Sequence, residues 1–282
     1  MMDVDGVIRS IKRLPPFPDV STKALKILDD PDASVDQLIS IIQYDQAITA
    51  NVLKLCNSAY YGLSRKVHSL REGLVLLGNR ELRNIILTST AVKFFHKENR
   101  GYDLAQGELW RHSVVTAIIS KLISDRVSGT EPASLFTTAL LHDVGKVVLG
   151  SFVDTYSEQV IALVNEGEHS FLEAESEILG INHAEVGAKV AESWNFPEDI
   201  VRAIRLHHEP DGASDNDPLT PIIYLADILT LSMGIGAGRD GLSYRGKEEV
   251  MERFGLKAKD LQEIVVDFYD QYSRVQDILS LS

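Results

Sequence analysis

Cysteine is nearly absent from this sequence: the chain has one, Cys56, among 282 residues. A single thiol cannot form a disulfide within the chain, and it excludes a cysteine-rich zinc site. The segment 1–14 lacks the apolar core and the small-residue cleavage site of a signal peptide. We therefore expect a protein of a reducing compartment, and the cytoplasm is the simplest assignment.

Basic charge is also scarce. The chain carries 28 lysines and arginines against 41 aspartates and glutamates, a formal net charge of −13. Nucleic-acid binding needs a basic surface that neutralises phosphates, so we expect no nucleic-acid partner. The apolar runs are shorter than the roughly 20 residues of a membrane helix, so we expect no membrane association. A hydrophobic content of 44% is that of an ordinary globular protein.

Alternating strand patterns are missing too, whereas apolar stripes with helical spacing recur along the chain. The fold class is therefore predicted to be all-α. Ser34 followed by Gln37, and Ser69 followed by Glu72, have the spacing of capping boxes at helix starts. The polar segment 96–101 interrupts the stripes, and we expect two helical lobes, 1–98 and 104–282.

The second lobe contains most of the predicted helices. They lie near Leu104–Val127, Leu135–Leu149, Tyr156–Asn165, His183–Trp194, Glu198–His208 and Ile222–Met233. Several of these helices carry a histidine or an aspartate where the apolar stripe predicts burial. These polar residues are His112, His142, Asp143, His183, His207, His208 and Asp227.

Each of these residues alone has an ordinary explanation. A single histidine on a buried face is usually a hydrogen-bonded core residue, and Asp227 could pair with an arginine. Together, five of the eight histidines and two aspartates fall on core-facing positions of five helices. Buried carboxylates cost several kcal/mol unless they are paired or bind a metal. Mixed imidazole and carboxylate ligands suit iron, manganese or zinc, and seven ligands exceed the needs of one tetrahedral ion.

The remaining histidines, His68, His96 and His169, lie in loops or at helix ends and receive the ordinary explanation. Lys146 follows His142 by one helical turn, within the string His-Asp-Val-Gly-Lys that begins at His142.

These residues resemble a known family. The His-Asp-Val-Gly-Lys string, with the other histidines and Asp227, resembles the HD superfamily of metal-dependent phosphohydrolases. The strings Leu-Pro-Pro-Phe-Pro at 14–18, Asn-Ser-Ala-Tyr-Tyr-Gly at 57–62 and Ile-Asn-His-Ala-Glu-Val-Gly-Ala at 181–188 resemble its HDOD branch. That branch is related to the HD-GYP phosphodiesterases that act on cyclic di-GMP.

The resemblance implies two helical lobes, the second of the HD type. It also implies two divalent ions, with iron or manganese favoured and zinc as an alternative. One ion would be held by His112, His142, Asp143 and Asp227. The second would be held by His183, His207 and His208, with Asp143 as the bridge between the ions. By the same resemblance, Lys146 could neutralise the phosphate of a substrate.

The loop after His207-His208-Glu209 departs from the phosphodiesterase pattern. At the place where Gly-Tyr-Pro is expected, the sequence has Ala213-Ser214-Asp215, in a loop that also carries Asp211 and Asp217. These acids would repel a substrate with two phosphates, which argues against cyclic di-GMP.

We therefore expect an HDOD-type signal transduction or regulatory output module with a dinuclear metal site. The alternative is a metal-dependent phosphohydrolase that acts on a nucleotide or phosphodiester. A protein-interaction scaffold with an empty site is a third explanation, which the intact ligand set disfavours. No receiver or sensor motif is present, so a signalling protein partner is expected, and a small phosphorylated ligand is compatible with the site.

Overall fold

The structure is a computed structural model that describes residues 4–30, 32, 34–43, 45–127, 132, 134–165, 169–214, 216–241 and 248–279. Within these residues the chain forms α-helices and two short 3-10 turns, Arg100–Tyr102 and Pro210–Gly212, and it forms no β-strand. An isolated β-bridge joins Asn99 to Leu104. The predicted all-α class is confirmed.

The helices are numbered in chain order. The first five are α1 Val4–Arg13, α2 Asp19–Asp29, α3 Val35–Ile42, α4 Gln46–Cys56 and α5 Leu70–Phe95. The next five are α6 Glu108–Val127, α7 Leu135–Leu141, α8 Val144–Thr155, α9 Ser157–Asn165 and α10 Phe171–Leu179. The last five are α11 His183–Ser193, α12 Glu198–Leu206, α13 Thr220–Ser232, α14 Glu248–Arg253 and α15 Ala258–Leu279.

Two compact units share these helices. The larger comprises Met1–Pro15 and Phe94–Phe268, and the smaller comprises Pro16–Lys93 and Tyr269–Ser282. The first helix belongs to the larger unit, where it packs against α8 and α11. The lobe boundaries 1–98 and 104–282 stay a prediction.

In the smaller unit, one of the two expected capping boxes is complete. The backbone N–H of Gln37 donates to the Ser34 hydroxyl, and the Gln37 side chain accepts from the backbone of Ser34. At the second, the Ser69 hydroxyl accepts from the backbone N–H of Glu72 at 3.2 Å. The Glu72 carboxylate, however, accepts from the backbone of His68 at 2.7 Å, so it caps the residue before the expected one.

The core of the larger unit is formed by helices that are buried on most of their faces. Helix α6 packs against α7 and α13, and α11 packs against α8 and α12. Buried residues surround the axis of α6 and of α13, which is the pattern of a helix enclosed by others. These are the helices on which the sequence places its unusual polar residues, so the packing brings those residues into one interior.

One stretch in the described part of the chain, Leu135–Thr155, is long and apolar enough to cross a membrane by composition. It comprises α7 and α8, and 83% of its most apolar window is buried within the protein. Its apolar character is therefore accounted for by the core.

The lone thiol of Cys56 gives a test of the packing in the smaller unit. The side chain is fully buried, and burial raises its pKa to about 11 from 9.0. At pH 8 the thiolate fraction should thus be about 100-fold lower than for an ordinary thiol. We expect dithiodinitrobenzoate to react with the native protein at least that much more slowly than with urea-unfolded protein. Equal rates would show that Cys56 is accessible.

Candidate metal centre

The His142-Asp143 pair lies in a break between two helices. We predicted one helix over Leu135–Leu149, and this was wrong: α7 ends at Leu141 and α8 begins at Val144. Asp143 is the N-cap residue of α8, with φ −95° and ψ 14°, outside the helical range. The break allows adjacent residues to face the same interior, and both side chains are at most 1% exposed.

Gly145 lets α8 approach α11 closely at this point. A Cβ atom on Gly145 would lie 1.8 Å from the carbonyl oxygen of His183 and 2.6 Å from the backbone nitrogen of Gly187. No side chain fits in that space. Because the two backbones nearly touch here, His183 at the start of α11 lies beside Asp143 at the start of α8.

The other expected ligands come from four helices and converge on the same interior. His112 lies in α6, His183 begins α11, His207 and His208 directly follow α12, and Asp227 lies within α13. All are buried, and the most exposed of the seven expected ligands is His208, at 9%. The structure thus brings together all seven residues that the sequence singled out.

Asp143 stands between two groups of histidines. Its Oδ2 atom is 3.5 Å from the Nε2 atoms of both His112 and His142. Its Oδ1 atom is 3.6 Å from the Nε2 atoms of His183 and His207. The ligand atoms form two groups, each within 4.8 Å, that could hold a metal ion, and Asp143 belongs to both.

Asp227 faces the same interior from helix α13. Its Oδ1 atom is 3.0 Å from Nε2 of His112 and 3.6 Å from Nε2 of His142. Its Oδ2 atom is 3.7 Å from Nδ1 of His208. The carboxylate therefore adjoins the His112 group on one side and approaches the second group on the other.

Backbone carbonyls orient three of the imidazole rings. The contacts join Nδ1 of His112 to Ile235 (3.0 Å), of His142 to Ala139 (2.7 Å) and of His207 to Ile204 (2.6 Å). A carbonyl oxygen only accepts, so each Nδ1 must carry the hydrogen. In a neutral ring the lone pair then resides on Nε2, the atom that faces the cluster, as metal ligation requires.

The interior has unsatisfied polar atoms that fit a cation. The Nε2 atoms of His112 and His142 face each other at 3.2 Å, and those of His183 and His208 at 2.9 Å. Two lone pairs repel at such distances unless a proton or a cation lies between them. In the described part of the chain, Asp143 Oδ1 and His207 Nε2 are also buried without a hydrogen-bond partner. The donor set is that of iron, manganese or zinc.

The two carboxylates and His208 favour the protonation states of metal ligands. Burial acts to raise the pKa of Asp143, but the Lys146 ammonium and nearby imidazoles outweigh it, and the pKa lies well below its usual range. Burial also acts to raise the pKa of Asp227, but the nearby imidazoles of His112 and His142 outweigh it, and this pKa too lies well below its usual range. Burial lowers the pKa of His208 well below its usual value, so this ring is neutral.

Lys146 lies beside the centre, in contact with two carboxylates. Its Nζ atom is 2.7 Å from Asp143 Oδ2 and 2.5 Å from Asp240 Oδ2, and the side chain is 3% exposed. These two ion pairs occupy the ammonium group, whose suggested contact with substrate phosphate stays a prediction. Asp240 is not among the predicted site residues, because it follows a glycine-containing turn without helical periodicity.

Glu175 is a second residue of the site that is not among the predicted ligands. Its carboxylate is fully buried and accepts a hydrogen bond from Nδ1 of His183 at 2.7 Å. A signal was present: Glu175 lies on the apolar stripe of α10 with Phe171, Leu172 and Leu179, and a buried acid on such a stripe needs a partner. Helix α10 itself was not predicted.

A cavity of about 400 Å³ opens elsewhere in the larger unit. Its walls include Phe94, Lys97, Arg100, Val147 and Asp154, and none of the seven expected ligands lines it. The candidate metal centre is therefore distinct from this cavity.

Comparison with known proteins assigns the chain to a family. The HDOD domain family matches residues 14–210. The chain belongs to the HDOD family.

Its structure is similar to the crystal structure of an HDOD domain protein of unknown function from Geobacter sulfurreducens, with 27% identity, a TM-score of 0.75 and 98% of each chain covered. A Shewanella amazonensis SB2B protein, named as a proposed phosphohydrolase, has 23% identity and a TM-score of 0.74, with 99% of this chain and 98% of that chain covered. At that identity it supports the fold alone.

Two relatives of this HDOD chain are longer proteins. An uncharacterized protein of Treponema pallidum (strain Nichols) is 26% identical over 231 residues, which cover 77% of this chain and 42% of the relative. Ribonuclease Y of Aquifex aeolicus (strain VF5) is 25% identical over 157 residues, which cover 56% of this chain and 21% of the relative. The chain thus spans less than half the length of these relatives.

The close helix approach at Gly145 can be tested by substitution. Gly145→Ala places a methyl group against the backbone of α11, and overpacking of this kind typically costs about 1–3 kcal/mol or more. We expect a clear fall in the urea midpoint of unfolding. Gly212→Ala is the control, because its methyl group would meet the movable Leu206 side chain. Equal stability of the two variants would contradict the role of Gly145.

The shared position of Asp143 predicts unequal effects of removing ligands. Asp143→Ala takes a ligand from both groups, whereas His112→Ala takes one from a single group. Elemental analysis should therefore find less bound metal in Asp143→Ala, with a smaller rise in melting temperature on metal addition. Glu185→Ala, an exposed change on α11, should match the parent. Parent-like metal content in Asp143→Ala would assign this side chain to packing instead of ligation.

Proposed function

We propose that this chain is an HDOD-type signal transduction module with regulatory output, built around a dinuclear divalent-metal centre that is structural or sensory. The observation that carries the proposal is the burial of a complete ligand set. Six of the seven side chains are at most 2% exposed, and His208 is 9% exposed. A substrate phosphate must reach the ions directly to be cleaved, and this packing favours a centre that is enclosed by protein.

Two ions, with iron or manganese favoured and zinc as the alternative, fit the proposed centre. The count of two is supported by the two ligand groups that share Asp143. The identity is supported by the ligand types, since imidazole with carboxylate suits these metals and thiolate is absent from the set. When bound, such ions would supply positive charge to an interior that holds two ionised carboxylates.

The loop after the histidine pair supports a function other than cyclic di-GMP cleavage, although with fewer acids than the sequence suggested. Glu209 and Asp211 are exposed there. Asp217, in contrast, is 2% exposed and accepts hydrogen bonds from the backbone of Leu219 and from Thr220 at the start of α13. Asp217 therefore stabilises the start of α13 and is not available to repel a substrate. Asp215 lies outside the described residues. The missing Gly-Tyr-Pro remains the stronger argument.

A working metal-dependent phosphohydrolase is the second candidate. The observation that favours it is the same ligand set: a histidine or aspartate is present at all seven expected positions, and six of these residues form two groups that share the Asp143 carboxylate. Lewis-acid metal pairs with a bridging carboxylate are typical of phosphoester hydrolysis. A small phosphorylated ligand belongs to this candidate.

We propose that the module acts through a signalling protein partner. A net charge of −13 supports a protein over a nucleic acid, because a nucleic-acid surface would repel this chain at most positions.

A metal analysis combined with a hydrolysis assay separates the two candidates. Purified protein should carry roughly one to two equivalents of iron, manganese or zinc, in keeping with the two ligand groups. The iron- or manganese-loaded protein should leave cyclic di-GMP uncleaved, because Gly-Tyr-Pro is missing and the centre is enclosed. Chromatography of the nucleotide products measures cleavage of cyclic di-GMP. Release of the dye from a chromogenic phosphodiester measures general phosphodiester hydrolysis.

The control for that assay is His142→Ala, which removes a buried ligand and should lose metal. Steady cyclic di-GMP cleavage by the parent that disappears in His142→Ala would establish the phosphohydrolase in place of the signalling module. A parent protein that contains no metal and takes up none on titration would contradict both candidates.

A further inference from the structure

Glu175 holds both the backbone and the ring of one expected metal ligand. Its Oε2 atom accepts from the backbone N–H of His183 at 2.9 Å and from Nδ1 of His183 at 2.7 Å. Its Oε1 atom accepts from the hydroxyl of Tyr102. Glu175, His183 and Tyr102 are all fully buried. The three side chains form one hydrogen-bonded chain that ends at the metal centre.

This arrangement fixes the orientation of the His183 ring. One carboxylate oxygen binds two nitrogen atoms of the same residue, so the ring cannot turn without losing a charge-assisted hydrogen bond inside the protein. With Nδ1 donating to Glu175, the Nε2 atom points to the centre, 3.6 Å from Asp143 Oδ1 and 2.9 Å from Nε2 of His208.

The acceptor at His183 differs in kind from those at three other histidines of the centre. His112, His142 and His207 donate from Nδ1 to neutral backbone carbonyls. His183 donates to a carboxylate. A negatively charged acceptor makes the opposite ring nitrogen more basic and a stronger metal ligand, and loss of such an outer partner typically lowers metal affinity about 10- to 100-fold.

We propose that Glu175 and Tyr102 are positioning residues that set the affinity of one of the two ions, the one held by His183, His207, His208 and Asp143. This inference rests on the metal centre of the proposed function. Glu175 acts on the ion through the His183 ring, and Tyr102 acts by holding Glu175.

Tyr102 extends this outer shell toward the other side of Asp143. Its ring lies 5.5 Å from the Nζ atom of Lys146, which in turn donates to Asp143 Oδ2. Its carbonyl oxygen accepts from the backbone N–H of Arg239 at 2.9 Å. The Tyr102→Phe change keeps the ring and the backbone contact and removes the hydroxyl bond to Glu175, which makes it a narrow test of the chain.

The experiment measures Zn²⁺ binding to the metal-free full chain by chelator competition. Glu175→Gln keeps the size and an acceptor oxygen but removes the charge, so one ion should bind about 10- to 100-fold more weakly and the other as in the parent. Tyr102→Phe should weaken the same ion by a smaller factor. Glu177→Gln is the matched control, since Glu177 lies on the same helix with its side chain 57% exposed.

A spectroscopic measurement separates positioning from a general loss of stability. In long-range ¹H–¹⁵N spectra of the zinc-loaded protein, the Nδ1–H proton of His183 should move upfield in Glu175→Gln, because its acceptor has lost its charge. The Nδ1–H protons of His112 and His142 should stay in place. A merely unstable variant would shift all of these signals or none.

The outcomes are distinct. If each of the two ions binds to Glu175→Gln and to Tyr102→Phe as tightly as to the parent, the inference is overturned and the proposed metal centre is unaffected. A lower melting temperature of metal-free Glu175→Gln with parent-like zinc binding would reduce Glu175 to a helix cap and overturn it as well. A parent protein that binds no zinc would overturn the metal centre and this inference together.

Discussion

The larger unit depends on the contacts of one buried carboxylate, that of Asp143, with histidines on both sides. Each oxygen of Asp143 adjoins a different pair of imidazoles, and Lys146 approaches one of those oxygens. This requires a helix to stop at Leu141 and another to begin at Val144. It also requires Gly145, since any side chain there would separate α8 from α11. The backbone of this region is thus arranged around a single side chain.

The energetic problem of this core is the number of ionisable groups removed from water. Carboxylates at Asp143, Asp227, Glu175 and Asp240 are all buried, and Lys146 is the one buried lysine or arginine in the part of the chain that the structure describes. Isolated charges in such surroundings cost several kcal/mol each unless they are compensated. Hydrogen bonds from Tyr102 and from imidazoles compensate part of this charge. A pair of divalent cations in the proposed positions would compensate the rest.

Much of this arrangement could be predicted from the sequence, and the limits have physical causes. Asp227 and the pair His207-His208 were found because apolar stripes in helices place their neighbours in the core. The break at His142-Asp143 was missed because the apolar pattern runs across it unchanged. Glu175 was overlooked with its whole helix, and Asp240 could not be found, because its partner Lys146 lies far away in the sequence. Local periodicity reports burial, whereas ion pairs between distant segments follow from the tertiary fold.

The turn after α13 contacts the candidate metal centre at two points. The carbonyl of Ile235 orients His112, and Asp240 a few residues later contacts Lys146. Between them Gly236 has φ +62°, and a Cβ atom there would lie 2.5 Å from His112 Cβ. If the proposed ions order this turn through His112, linkage requires that ordering the turn strengthens their binding by the same factor. The local order of the turn and the ligand geometry of His112 would then be two expressions of one equilibrium.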